Sequence, residues 1–260
     1  MIESTVKLQV PRWLAVLLVS FAAAVSPGPA VAGTKQQVCS PQAIAQLHRI
    51  WQIAPNSEVS DAACKPWPGD ERLLLTLVVF GVEDRPGGER VATLGLAMVD
   101  ARSFRVVSRH REAIGEDATF RIGPDVFTLD TARYLLAPGV RGFGVVSTMV
   151  NQASCPDGGL DASWRLFVAE GPRIRAVTDT ELFLHTWRYA DSRECRGGSI
   201  LHDTTVTLDL RPRVGAWADL VIRAQRSDRK KPLVVTVPFD GQVYPVGKAG
   251  ERVGAFSWGP

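Results

Sequence analysis

The stretch that decides the fold is Leu94–Arg109, LGLAMVDARSFRVVSR. Two apolar runs meet at a polar turn near residue 101, and short runs of this kind joined by a turn read as a β-hairpin. Two more segments have the same form. Trp164–Thr178 (WRLFVAEGPRIRAVT) turns near 171, and Leu233–Val246 (LVVTVPFDGQVYPV) turns near 240. In the last, Asp240-Gly241 separates Val235–Phe239 from Gln242–Val246. Both turn residues tolerate positive φ, so this is the clearest hairpin signal of the three. The three turns fall about 70 residues apart, and an apolar run precedes each: Leu73–Val82, Phe143–Val150 and Trp217–Ala224. Thr128-Leu129-Asp130 and Thr207-Leu208-Asp209 stand before the second and third of those runs. A repeat of several strands predicts stacked or radially arranged sheets.

The remaining chain past Pro68 extends this pattern. Further runs are Ala92–Val99, Phe104–Arg109, Ile174–Val177, Leu182–Trp187 and Ile200–Leu210, with Pro86-Gly87-Gly88 and Glu170-Gly171-Pro172 as turns. Without helix-length patterns between them, they predict an antiparallel all-β body. Upstream stands the one long helix the sequence predicts. Ser40 is its N-cap, Pro41 its first residue, and Ile44, Leu47, Ile50 and Trp51 keep helical spacing until Pro55.

The N-terminus carries the parts of a secretory signal: Lys7 and Arg12, an apolar run from Trp13 to Val25, and Ala30-Val31-Ala32. The run is shorter than the roughly 20 residues that span a bilayer, so no membrane anchor is expected. Residues 1–32 are read as signal peptide and 33–260 as one β-rich domain with its N-terminal helix, periplasmic or secreted. Four cysteines, Cys39, Cys64, Cys155 and Cys195, all follow the signal. An even count in an exported chain predicts disulfides, with local pairing Cys39–Cys64 and Cys155–Cys195 favoured over a zinc site lacking short paired spacings. A formal charge of +3 is nearly balanced, and Arg226–Lys231 (RSDRKK) reads as a solvated loop rather than a nucleic-acid patch.

Gly215-Ala216-Trp217-Ala218-Asp219-Leu220-Val221-Ile222, followed by a Gly turn, resembles a blade of FG-GAP-type β-propellers, and Gly142 to Thr178 does so more loosely. The resemblance implies a propeller-like arrangement of strand meanders, with a β-sandwich as the rival. In that family, alternating Asp/Asn residues before the strand hold calcium. Leu210-Arg211-Pro212-Arg213-Val214 has no such ligands, so no calcium site is implied. Asp130-Thr131-Ala132-Arg133-Tyr134, running on to Gly144, is similar to a stretch of uncharacterised exported proteobacterial proteins, which implies location and fold but no activity.

No catalytic constellation stands out. Gly-x-Ser-x-Gly does not occur; Ser199 with His185, His202 and Asp203 is the nearest imitation of a triad, and loop Ser with surface His explains it. His48, His110, His185 and His202 are scattered, and Pro156–Asp161 offers two carboxylates where calcium loops use more, so no metal is expected. No glycine-rich loop opens a helix after a strand, so no cofactor is expected either. Glu181, Asp191 and Glu194 are candidates for dispersed carboxylates by residue type alone. Trp187, Arg188, Tyr189 and Asp191 have the composition of a binding surface near Cys195, although Trp187 also follows Leu182 and Leu184 and packing at a strand end competes. Asp130 and Arg133 read as a structural pair, and Trp67 as a cap on the sheet. Together these features predict an exported, non-catalytic module that recognises a periplasmic protein or a cell-wall glycan, with a hydrolase using dispersed carboxylates as the alternative.

Overall fold

Helix α1 (Pro41–Trp51) starts where its sequence predicts: the Ser40 Oγ accepts the Ala43 N–H at 3.1 Å, and Gln52 ends the helix in the left-handed conformation. The computed structural model describes residues 38–149, 158–191 and 199–259. The expected signal peptide (residues 1–32) and the expected Cys155–Cys195 disulfide lie outside the described residues. Cys39 and Cys64 form the disulfide that the sequence favoured, fastening the start of α1 to strand β1.

Twelve strands follow: β1 (Val59–Pro66), β2 (Leu73–Asp84), β3 (Arg90–Asp100), β4 (Val106–Gly115), β5 (Phe127–Ala137), β6 (Val140–Thr148), β7 (Gly158–Glu170), β8 (Arg173–Ala176), β9 (Leu182–Tyr189), β10 (Ile200–Arg211), β11 (Asp219–Arg226) and β12 (Leu233–Val237). A second helix, α2 (Val246–Trp258), closes the series. The strands form one open sheet in the order β1-β2-β3-β4-β8-β7-β9-β10-β11-β12. Strand β7 is the branch point. Along one edge it pairs with β9 and β8, and along the other with β6, which carries β5. Among the described residues, every pairing between these strands is antiparallel except one, Arg109 opposite Arg173, which joins β4 to β8.

Three apolar clusters fill this arrangement. Leu75, Leu77 and Val79 of β2 meet Leu94 and Leu96 of β3, Phe127 and Leu129 of β5, Phe143 and Val145 of β6, and Phe167 of β7 in one core. The alternate residues Val78 and Phe80 turn to the other face and pack with Leu47 and Trp51 of α1. Both faces of β2 are therefore covered, which is why LLLTLVVFGV is a continuous apolar run instead of an alternating one. Trp164, Leu166 and Val168 of β7 join Tyr134 and Leu136 of β5 in the third cluster, with Leu220 and Ile222 of β11, Tyr244 and α2. The layer β5–β6–β7 thus has a core on each side. Gly144 is required there, because a Cβ would overlap the Trp164 indole nitrogen.

The pairing corrects several expectations. All ladders belong to one open, largely antiparallel sheet, and among the described residues no propeller of separate blades is shown. The hairpins at 101 and 171 are present as β3–β4 and β7–β8. The one at Asp240-Gly241 is not. Asp240 accepts the Gln242 and Val243 N–H groups, and the chain then turns to exchange backbone hydrogen bonds with Val177 and Asp179 through Tyr244. Tyr244 is wholly buried, donates to Ala218 O at 2.8 Å, and packs with Trp217 and Phe239. Burying that ring outweighs the local hairpin preference, and helix α2 follows in place of a strand. Asp130 accepts from the Tyr134 hydroxyl at 2.5 Å rather than pairing with Arg133, and Arg226, expected in a solvated loop, is 2% exposed.

Candidate ligand-binding site

Strand alternation on β4 sends His110, Glu112 and Ile114 inward and Arg109, Arg111 and Ala113 outward. Of these, Glu112 and Ile114 form part of one wall of a cavity of about 460 Å³. Its floor is the end of the first core: Leu94, Phe120, Phe127, Val145 and Phe167. Its rim is polar, with Glu112, Asp117, Ser147, Ser163, Arg165 and Glu181. An apolar floor with a few convergent polar groups at the mouth of a strand assembly is the usual form of a small-ligand site.

The rim groups are ordered by one another. Ser163 donates to the Glu181 carboxylate, and Ser147 and Ser163 are 2.6 Å apart. Since the Ser163 proton goes to Glu181, Ser147 is the donor in the serine pair. The remaining capacity of this relay is lone pairs alone, on Glu181 and on both hydroxyls. Across the cavity Arg165 donates to Glu112 at 2.7 Å, and His110 Nε2 lies 3.3 Å from the same carboxylate. Burial pushes the Glu112 carboxyl up, but the His110 and Arg165 contacts outweigh it and leave it below its ordinary value. Glu112 is therefore ionised at neutral pH.

The surface continues along β9. Ser163 stands opposite Phe183, so Phe183 shares the face of β7 that floors the cavity, and His185 and Trp187 follow at alternate positions. Phe183 is 41% exposed, and the His185 and Trp187 rings lie 5.6 Å apart. Asp161 of β7 and Asp203 of β10 flank the middle ring, at 3.0 Å from His185 Nδ1 and 3.7 Å from Nε2. Three rings at two-residue spacing, with carboxylates alongside, lead away from the cavity.

The residues singled out in the sequence divide between this strip and the fold. Trp187 is half-buried, belongs to none of the three cores and lies on the ring strip; Leu182 and Leu184 face the opposite way into the α2 core. Arg188 donates to Trp258 O at 3.0 Å, at the end of α2, and so caps a helix. Tyr189 closes β9 opposite Ile200, and Asp191 lies just beyond the strand. Trp187, Arg188 and Tyr189 thus end strand β9, and Asp191 follows it. Of the carboxylates proposed by type, Glu181 is on the cavity rim and Asp191 is not; Glu194 lies outside the described residues. No hydrogen bond joins Ser199 to His185 or His202, and His202 is buried with Nε2 donating to Ser257 O at 2.8 Å. The part of Pro156–Asp161 that is described is the start of β7, and no group of three metal-ligating side chains occurs among the described residues. Glu112, Ser147, Ser163 and Phe183 were missed, because they come from four strands and no local motif links them.

No family model, curated protein or solved structure matches the chain.

Proposed function

We propose that this chain is an exported, non-catalytic module that binds a cell-wall glycan along the Phe183–His185–Trp187 strip and into the adjoining cavity. The observation that carries this reading is the row of rings ending at an acceptor-rich rim. Sugar rings offer apolar faces that stack on aromatic side chains, and their hydroxyls donate to carboxylates and serine lone pairs. The Glu181–Ser163–Ser147 relay, Asp161 and Asp203 all present acceptors, so the preferred ligand is a polyol and not an anion. Export is supported by the disulfide, which belongs to oxidising compartments, and no described helix is long and apolar enough to cross a membrane.

The test is calorimetric titration with soluble N-acetylglucosamine oligomers and muropeptides. Binding is expected, with Phe183→Ala and Trp187→Ala each weakening it roughly tenfold and Glu181→Gln weakening it further. No saturable binding, or binding indifferent to all three substitutions, overturns the reading. A hydrolase is the second reading, favoured by Glu112 and Glu181 on one rim. It is the weaker of the two because Glu112, held ionised by Arg165 and His110, is no proton donor at neutral pH. Release of reducing ends that Glu181→Gln abolishes would establish it in place of simple binding.

A further inference from the structure

We propose a second site, independent of the glycan strip: a cleft on the outer face of β4 that binds a phosphate or sulfate ester. Helix α1 covers β2 and β3, and of β4 only Val106 joins the core beneath it. A cleft of about 540 Å³ remains between the end of α1 (Ile50, Trp51, Gln52) and Arg109, His110, Arg111, Pro172 and Arg173. No carboxylate lines it.

The arginines here differ from those that hold the fold. Arg72, Arg90, Arg121, Arg165, Arg175, Arg213 and Arg226 each meet a carboxylate within 4 Å. Arg109, Arg111 and Arg173 meet none among the described residues. Arg109 and Arg173 also stand directly opposite each other at the one point where β4 joins β8. Like charges opposed across a ladder destabilise it, so folding alone gives no reason for this pair. The acids nearest in sequence are already engaged: Glu112 faces the cavity on the other side of β4 and pairs with Arg165, while Glu170 pairs with Arg175. Two carbonyls of the last turn of α1 are engaged as well, since Arg49 O accepts from Gln52 N and His48 O from Ile53 N.

The cleft is also held in shape. The Arg111 guanidinium lies 5.4 Å from the centre of the Phe80 ring. Trp51 packs onto Gly95, the residue opposite Arg111, where a Cβ would come within 2.7 Å of the indole. A tetrahedral oxyanion offers several acceptor oxygens to three guanidiniums at once, and guanidinium is the cation that recognises phosphate in that directed way. Ile50 and Pro172 supply apolar walls for the body that carries the ester.

The experiment titrates the whole protein with inorganic pyrophosphate, and separately with vesicles of phosphatidylcholine with and without phosphatidylglycerol. Saturable binding that weakens as salt rises is expected, and the triple variant Arg109→Gln, Arg111→Gln, Arg173→Gln should lose roughly tenfold or more in affinity. A charge-matched control, Arg85→Gln, Arg102→Gln, Arg223→Gln, removes exposed arginines elsewhere and should bind as the wild type does. Removing Arg173 alone should leave the thermal midpoint unchanged or raise it, since a like-charge pair is relieved. Capture by phosphatidylglycerol vesicles that the triple variant loses assigns the phosphate to a lipid headgroup. Pyrophosphate binding without vesicle capture assigns it to a soluble ester. Equal binding by the wild type and the triple variant, an equal loss in the control, no saturable binding of either probe, or a lowered midpoint for Arg173→Gln overturns the proposal.

Discussion

Glu116 is 8% exposed and lies between two guanidiniums, Arg90 at 2.5 Å and Arg121 at 3.2 Å, while accepting the Ile122 N–H at 2.8 Å. Burial pushes its carboxyl up; the Arg90 hydrogen bond, the Ile122 N–H and the neighbouring charge outweigh this and bring it below the ordinary value. A lowered carboxyl stabilises fully above the unfolded value, and that contribution is lost as pH falls through the folded one. Asp61 behaves in the opposite sense. Burial exceeds the help of the Phe127 and Asp125 N–H groups and raises its carboxyl, so its contribution to stability grows as pH falls. Glu116→Gln should cost about 1–3 kcal/mol near neutrality and flatten the acid side of the stability profile. Asp61→Asn removes the opposing contribution and should steepen it. Urea unfolding between about pH 7 and pH 3 reads both slopes. Gly144→Ala is a steric counterpart: the new methyl meets the Trp164 indole in a filled core and should cost about 1–3 kcal/mol in the same denaturation assay.

Helix α2 has no side-chain N-cap of its own, and much of its support comes from other elements. At its start Gly247 N donates to Asp179 Oδ1 at 3.1 Å. At its end the Phe256 and Gly259 carbonyls accept from Arg226 Nη1, Ser257 O accepts from His202, and Trp258 O from Arg188. Donors from β9, β10 and β11 thus satisfy the last carbonyls, and the two arginines among them oppose the negative end of the helix dipole. Arg226→Met removes the most buried of these and should lower stability by about 2–4 kcal/mol. Amide exchange should show the last turn of α2 opening first. The same dependence explains why the helix was illegible in the sequence. Gly247, Gly250 and Gly254 lower its propensity, Pro245 is a poor cap, and the preceding Asp-Gly carries a strong hairpin signal. By contrast α1 carries Ser40, Pro41 and its apolar spacing locally, and β3–β4 and β7–β8 carry their own turns. Strand β1, VSDAACKP, has too few large apolar residues to announce itself, and β5 is interrupted by a register shift between Asp130 and Tyr134. Of the site, Trp187 and Glu181 could be picked out by type. The serine relay and the Glu112–Arg165 pair depend on strand register, which a single sequence does not display.

At the scale of the molecule, the disulfide and the shared layer govern how the parts hold together. Cys39 and Cys64 are 25 residues apart, and closing that loop should contribute about 3.5 kcal/mol on the chain-entropy estimate. Reduction should therefore expose the face of β2 and β3 beneath α1, read as enhanced binding of a hydrophobic dye at temperatures where the oxidised protein binds none. The cores on either side of β5–β6–β7 are built on the same backbone, and melting of one removes support from the other. Far-UV and tryptophan signals should follow one coincident thermal transition, and two separated transitions would show the cores to be independent.

Strand β7 puts Trp164, Leu166 and Val168 into one core and Phe167 into the other, with Ser163 on the cavity rim between them. Strand β10, separated from β7 by β9, alternates buried and exposed positions along most of its length. Evolution can therefore rewrite every second residue of β10 beyond Asp203 with little consequence, but β7 has almost no free position from Ser163 to Val168. A complete substitution library would record this as a tolerance pattern with a two-residue rhythm on β10 and an unbroken intolerant block on β7. Divergence in ligand preference would then have to be sought on β4 and β9, where side chains can change without disturbing two cores at once.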